Sequence, residues 1–197
     1  MKRYLVLALV VPIVALIAMG LLLKVSLSPV EEICTGPAEA TESNWTLVVD
    51  GLVERPLNLT FNEIAAMPSA SVVAKLQCVD DRPGLRAVTA NWTGVPLKIL
   101  LDKAGISPKA IKVAFCASDG FSTDITVETA MRQDMILAYQ KDGEFLPGWG
   151  GAPALRLVVP GKWGYKWITW VVRIKVVDFD YRGTWESRGY SDEADIP

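Results

Sequence analysis

The stretch LRLVVPGKWGYKWITWVVRIKVVDF, residues 155–179, decides how this chain folds. Leu155 to Val159 is a short apolar run closed by Pro160-Gly161, which reads as a strand and its turn. Ile168 to Phe179 is a long, β-branched run interrupted by Arg173 and Lys175, which reads as a second strand. Val, Ile and Thr suit a pleated surface better than a helix because branching at Cβ restricts their rotamers in a helix. Between the two runs lies PGKWGYK, residues 160–166. Its glycines at 161 and 164 permit close backbone approach, and its lysines at 162 and 166 could meet an anion. Taken alone, the same loop is an ordinary charged turn, with Lys162 in solvent and Trp163, Trp167 and Trp170 serving as packing.

Working outward, short β-rich segments alternate with brief amphipathic ones, which is the pattern of an α+β domain. Strands are expected at Trp45–Asp50, Pro56–Thr60, Ser71–Val79 and Ile111–Ala117. Ile136–Gln140 and Glu144–Leu146 form a hairpin about Lys141-Asp142-Gly143. Thr60 and Glu63 have the spacing of a capping box, which starts a helix over Phe61–Met67 that Pro68 stops. Pro96–Ala104 reads as a helix closed by Gly105, and Val127–Gln133 as a third, short one. Asp80–Ala90 and Gly148–Gly151 read as loops, Ser118-Asp119-Gly120 as a turn, and the polar tail Asp180–Pro197 as a surface wrap.

Tyr4 to Leu23 is apolar throughout, with only Pro12 and Gly20 to interrupt it and no charge inside. That length matches the roughly 30 Å of a bilayer core. Lys2 and Arg3 before it place the N-terminus in the cytoplasm and the rest of the chain outside the cell membrane. A cleaved leader is the alternative reading, although no small-residue cleavage site follows Leu23. The expected organisation is a single-pass anchor at 1–25, a linker at 26–43 and one domain at 44–197.

The chain has 20 basic and 22 acidic residues and no histidine. Balanced charge with no basic cluster argues against a nucleic-acid partner. Without histidine there is no imidazole zinc site and no Ser-His-Asp or Cys-His pair, which removes most hydrolase chemistry. The three cysteines are Cys34, Cys78 and Cys116. Cys34 reads as a free thiol in the linker and Cys116 as core filling in an apolar strand. Cys78, where a strand meets a polar loop, is either core filling or a soft metal ligand.

Three segments in order resemble the sulfite-oxidase-like molybdopterin oxidoreductases. They are LQCV at 76–79 with NWTGVPLKILL at 91–101, LPGWGGAPALRLVVPGKWGYK at 146–166, and VVDFDYRGTWESRGYSDEA at 176–194. The resemblance implies a mixed-sheet, sulfite-oxidase-type molybdopterin-binding fold and a molybdenum–molybdopterin cofactor. It also implies that Cys78 ligates the metal and is thereby the catalytic residue. The cofactor contacts it implies are Ser118, Arg156, Gly164, Lys166, Trp167, Ile168 and Thr169. Thr169 stands where relatives often have lysine, so Arg156 and Lys166 are expected to carry more of the phosphate's neutralisation. The implied activity is oxygen-atom transfer on a small sulfur-containing or related oxo substrate. The organisation of the chain resembles a bacterial sulfoxide reductase subunit, so a separate haem- or quinone-linked electron partner in the membrane is expected. The competing reading is a non-catalytic binding domain that keeps the fold.

Overall fold

A computed structural model describes residues 33–34, 45–79, 87–148 and 152–197. The expected anchor at 1–25 and all of the linker 26–43 except Ile33 and Cys34 lie outside the described residues. Among the described residues no helix is long and apolar enough to cross a membrane.

The expected α+β architecture is present as two five-stranded sheets with short helices between strands. The first sheet holds β1 (Leu47–Gly51), β2 (Leu57–Leu59), β5 (Lys112–Ala117), β6 (Ser122–Thr126) and β10 (Val171–Val177), in the order β2-β1-β10-β5-β6. It is mixed, because β1 and β10 run parallel while the other pairs are antiparallel. The second runs β3 (Ala70–Leu76), β4 (Val88–Pro96), β7 (Ile136–Lys141) and β8 (Glu144–Phe145), and β9 (Arg156–Val158) also pairs with β7. One apolar cluster draws on both, with Leu47, Phe115 and Ile174 from the first sheet and Trp92, Leu137 and Leu157 from the second.

Local chemistry explains most element boundaries. At α1 (Phe61–Ala65) the Thr60 amide donates to the Glu63 carboxylate at 2.8 Å, and the Glu63 amide returns a bond to the Thr60 hydroxyl at 3.4 Å. This capping box satisfies amides that the first turn leaves open. α2 (Leu97–Ala104) buries Leu97, Leu100, Leu101 and Ala104 and ends at Gly105, whose φ of 71° few other residues adopt. α3 is a single turn, Val127–Ala130, capped by Thr126. The hairpin β7–β8 turns on Asp142 and Gly143, with φ of 52° and 88°.

The β-branched run begins later than the sequence suggests. Trp170 has a φ of 56°, so the extended backbone of β10 starts at Val171. Within β10 the charged interruption is used: Arg173 donates to Asp50 of the parallel strand β1 at 3.2 Å through Nε. Two strands lie where no element was expected, β4 over most of its length and β6.

The cysteines correct the sequence reading. Cys34 and Cys116 are joined by a disulfide across 82 residues, so Cys34 is not a free thiol and Cys116 is more than core filling. Cys78 remains free and exposed. The tail is corrected too. It does not merely wrap the surface, since Tyr181, Glu186 and Ala194 are buried.

Candidate functional site

The backbone of β9 joins the two sheets. Arg156 pairs with Ala138 of β7 on one side and bridges to Thr169 on the other. The Leu157 amide donates to Ile168 at 2.9 Å, and the Val171 amide to Leu155 at 3.1 Å. The segment between these contacts, residues 159–167, therefore runs out from β9 and returns beside it. It carries the turn at Gly161 and the 3-10 helix Gly164–Lys166.

A cleft of about 320 Å3 opens against this segment. It is lined by Arg156 of β9, by Gly164, Trp167, Ile168, Thr169 and Trp170, and by Asp119 and Phe121 from the β5–β6 turn. Five of the residues named from the sequence thus share one cavity: Arg156, Gly164, Trp167, Ile168 and Thr169. Ser118 sits at its edge, where its amide donates to the Trp170 carbonyl at 3.0 Å. Asp119, Phe121 and Trp170 were not expected there. The turn at 118–120 was legible, but nothing in it marked a side chain for the cavity.

Cys78 is not part of the cleft wall but is tied to it by one residue. The Gly164 amide donates to the carbonyl of Gln77 at 2.7 Å. A Cβ on residue 164 would stand 2.9 Å from that oxygen, closer than real Cβ atoms come, so glycine is what allows the contact. The free thiol therefore follows directly on the backbone group that anchors the cleft's glycine.

Arg156 is the cleft's electrostatic feature. Its guanidinium lies 5.6 Å above the Trp92 ring, which itself meets Trp167 edge to face at 5.8 Å. Its Nε is buried with no hydrogen-bond partner among the described residues. Burial pushes its pKa down. A buried donor without a partner is costly, and a guanidinium that lines a cavity is suited to meet an anionic group. A soft thiol, a glycine-backed cleft and a guanidinium whose Nε has no partner among the described residues fit a large anionic cofactor with a soft metal.

Lys166 faces elsewhere. In a 3-10 turn successive side chains are rotated by about 120°, so neighbours cannot share a face. While Gly164 meets Gln77, the Lys166 ammonium is buried against Glu186 at 2.7 Å, Asp192 at 3.4 Å and Asp124 at 3.5 Å. Lys112 enters the same group from β5, 2.9 Å from Asp124 and 2.6 Å from Asp180, with Asp192 also in contact. Burial raises the Asp124 carboxyl to about 6, outweighing the attraction of Lys166 and Lys112. Burial also pushes Asp192 up, but the hydrogen bond from Lys112 and the charge of Lys166 hold it below the usual range. Lys162, expected in solvent, is 8% exposed and pairs with Asp195 at 2.8 Å. Among the described residues no group of His, Cys, Asp and Glu could by itself hold a metal ion.

Known proteins resemble this chain over most of its length. The family described as oxidoreductase molybdopterin binding domain matches residues 35–185. A nitrate reductase [NADH] of Solanum lycopersicum is 34% identical over 79% of this chain, which spans 20% of that protein. The protein-methionine-sulfoxide reductase catalytic subunit MsrP of Gluconobacter oxydans is 32% identical over 72% of the chain, which spans 49% of that subunit. The solved sulfane dehydrogenase SoxCD of Paracoccus pantotrophus superposes with a TM-score of 0.62 at 29% identity, over 73% of this chain and 41% of that one. The chain thus spans half or less of each of these three relatives.

Proposed function

We propose that this chain, which belongs to the oxidoreductase molybdopterin-binding domain family, transfers an oxygen atom to or from a small sulfur-containing or related oxo substrate. Membership makes it an oxidoreductase whose cofactor is molybdenum held by molybdopterin. When bound, that cofactor supplies a two-electron metal centre at which an oxygen atom can be gained or lost. The sulfur chemistry is carried over from relatives named a sulfoxide reductase and a sulfane dehydrogenase.

The chain's own residues divide the work. Cys78 would ligate the metal, since thiolate is the soft donor such a centre prefers. Arg156 would meet the pterin phosphate, because its planar fork suits an oxyanion and its Nε has no other partner among the described residues. The backbone of Gly164, Ile168 and Thr169 would border the pterin, with Trp167 closing the floor against Trp92. Ser118 would hold the rim through its bond to the Trp170 carbonyl. Lys166 enters this scheme through its backbone, since its ammonium is engaged by carboxylates. The observation that carries the reading is a free thiol one residue beyond the carbonyl that holds the cleft's glycine, beside a cleft lined by a guanidinium whose Nε has no partner among the described residues.

Location and electron supply belong to the same proposal. The disulfide Cys34–Cys116 supports an oxidising compartment, as does the apolar segment at 4–23 that would anchor the domain outside the cell membrane. Electrons would come from, or pass to, a separate haem- or quinone-linked membrane protein, in keeping with a relative named as a catalytic subunit.

The test is Cys78→Ser, purified from the native host beside the wild type. Oxygen is a harder and less electron-donating ligand than thiolate sulfur. Turnover on sulfoxides and sulfite with an artificial electron carrier should fall by more than the about 10–100-fold that loss of a supporting contact costs. X-ray absorption of the wild type should show one sulfur beyond the two of the pterin. A variant that turns over as well as the wild type with molybdenum bound would end this reading. Full cofactor in the wild type without turnover on any oxo substrate would favour a binding domain instead.

A further inference from the structure

The segment that shapes the cleft is held from behind by the tail. The Trp163 amide donates to Ala194 at 2.8 Å, and the Ile196 amide to Gly161 at 3.0 Å. The Tyr165 hydroxyl donates to the Ser191 carbonyl at 2.6 Å. Lys162 takes Asp195 at 2.8 Å, and Lys166 takes Glu186 at 2.7 Å. Residues 162, 163, 165 and 166 are thus all tied to the tail, while Gly164 bonds Gln77 beside Cys78. The Lys166–Glu186 pair is the innermost tie, with both side chains 1% exposed. The Thr123 hydroxyl donates to the same carboxylate at 2.6 Å, fixing it to β6.

We propose that residues 180–197 act as a clamp that sets the cofactor-facing turn 161–169, with Lys166 and Glu186 as its positioning residues. The inference rests on reading the cleft as the cofactor site. One observation beyond the contacts themselves favours it. A buried ion pair is a poor device for stability, since desolvation offsets most of its attraction, and its attested use is to fix register. This pair is not even complete, because the second Glu186 oxygen is buried without a partner among the described residues.

Amide hydrogen exchange in the cofactor-free protein tests it, read at Gly164, Lys166 and Trp167, whose amides bond Gln77, Trp163 and Gly164. The double variant Lys166→Met/Glu186→Leu removes the pair without leaving a lone buried charge. Tyr165→Phe removes one tail bond with no change in buried charge and serves if the double variant does not fold. Exchange at these amides should rise about tenfold in the double variant, the equivalent of one ordinary hydrogen bond, and less in Tyr165→Phe. Pterin per polypeptide should fall in step with the loosened turn. Wild-type exchange in the double variant, or in Tyr165→Phe where the double variant does not fold, overturns the clamp. Faster exchange with undiminished pterin supports the clamp and instead removes the cleft as the cofactor site.

Discussion

The cleft side and the tail side of residues 161–170 differ in how their cations are met. On the cleft side a guanidinium lies half-buried over an aromatic ring, its Nε without a hydrogen-bond partner among the described residues, in a cleft that Asp119 also lines. On the tail side Lys112 and Lys166 meet Asp124, Asp180, Asp192 and Glu186, so carboxylates outnumber ammonium groups. A charge saturated by the protein is committed to holding the fold. A charge left open in a cavity is available to a ligand. The two lysines of the Gly-Lys turn belong to the first kind, although the sequence alone aims at least one of them at a phosphate.

The largest stability effect should come from breaking the saturated side. Glu186→Ala leaves the Lys166 ammonium, 1% exposed, without its nearest partner. Unpairing a buried charge costs about 3–5 kcal/mol, and the more distant Asp124 and Asp192 favour the lower end. Urea denaturation of the cofactor-free protein should show this loss. A change within experimental error would mean that the two aspartates alone satisfy the lysine.

Next in size is the disulfide. Joining residues 82 apart restricts the unfolded chain, and such bridges contribute about 2–4 kcal/mol. Cys34→Ser with Cys116→Ser should lower stability by that much while leaving cleft and cofactor content intact. Loss of pterin in that variant would show that the two sides of the molecule are not independent.

The contrast between the sides also explains what the sequence made legible. Elements written in local chemistry were recoverable: the Thr60–Glu63 box, the Gly105 stop of α2, and the Asp142-Gly143 hairpin. β6 was not, because Ser122, Thr123 and Asp124 are polar yet buried, and only contacts with Glu186, Thr184, Lys112 and Lys166 reconcile the two. β4 hides its inward alternation of Ala90 and Trp92 among Thr, Asn and Gly. The acidic tail looked solvated for the same reason, since its cations come from strands and turns far off in the chain. For the cleft, resemblance to a family brought Arg156, Gly164, Trp167, Ile168 and Thr169 together where periodicity could not. Orientation within the turn, which sends Lys166 to the other side, needed the backbone itself.

Arg156 should behave inversely to the tail-side residues. Its contact with Trp92 contributes about 0.5–1 kcal/mol, and its buried unpaired Nε costs about as much or more. Arg156→Leu should therefore change the stability of the cofactor-free protein by less than about 1 kcal/mol. Its pterin content should nevertheless fall further than that of Lys162→Ala, whose ammonium is engaged by Asp195. Pterin per polypeptide in the two variants measures this. Equal losses would put the phosphate nearer the tail.

The smallest effect is a pH dependence, and its sign separates the terms on the tail side. Asp124 has an ordinary carboxyl value of 3.8 when unfolded and about 6 in the folded protein, because burial outweighs the pull of Lys166 and Lys112. A folded value above the unfolded one means that the native state binds the proton more tightly. Stability from this group is then complete below pH 3.8 and is lost as pH rises through about 6. Asp192 and Asp180 have folded values below the ordinary one and act in the opposite sense, losing stability as pH falls. The wild-type curve mixes both, so the comparison needed is with Asp124→Asn, which keeps the side chain's shape and removes its titration. The melting temperature of the wild type minus that of the variant should decline between pH 4 and pH 6.5. A difference that rises over that range would show that attraction by the two lysines exceeds the cost of burial at Asp124.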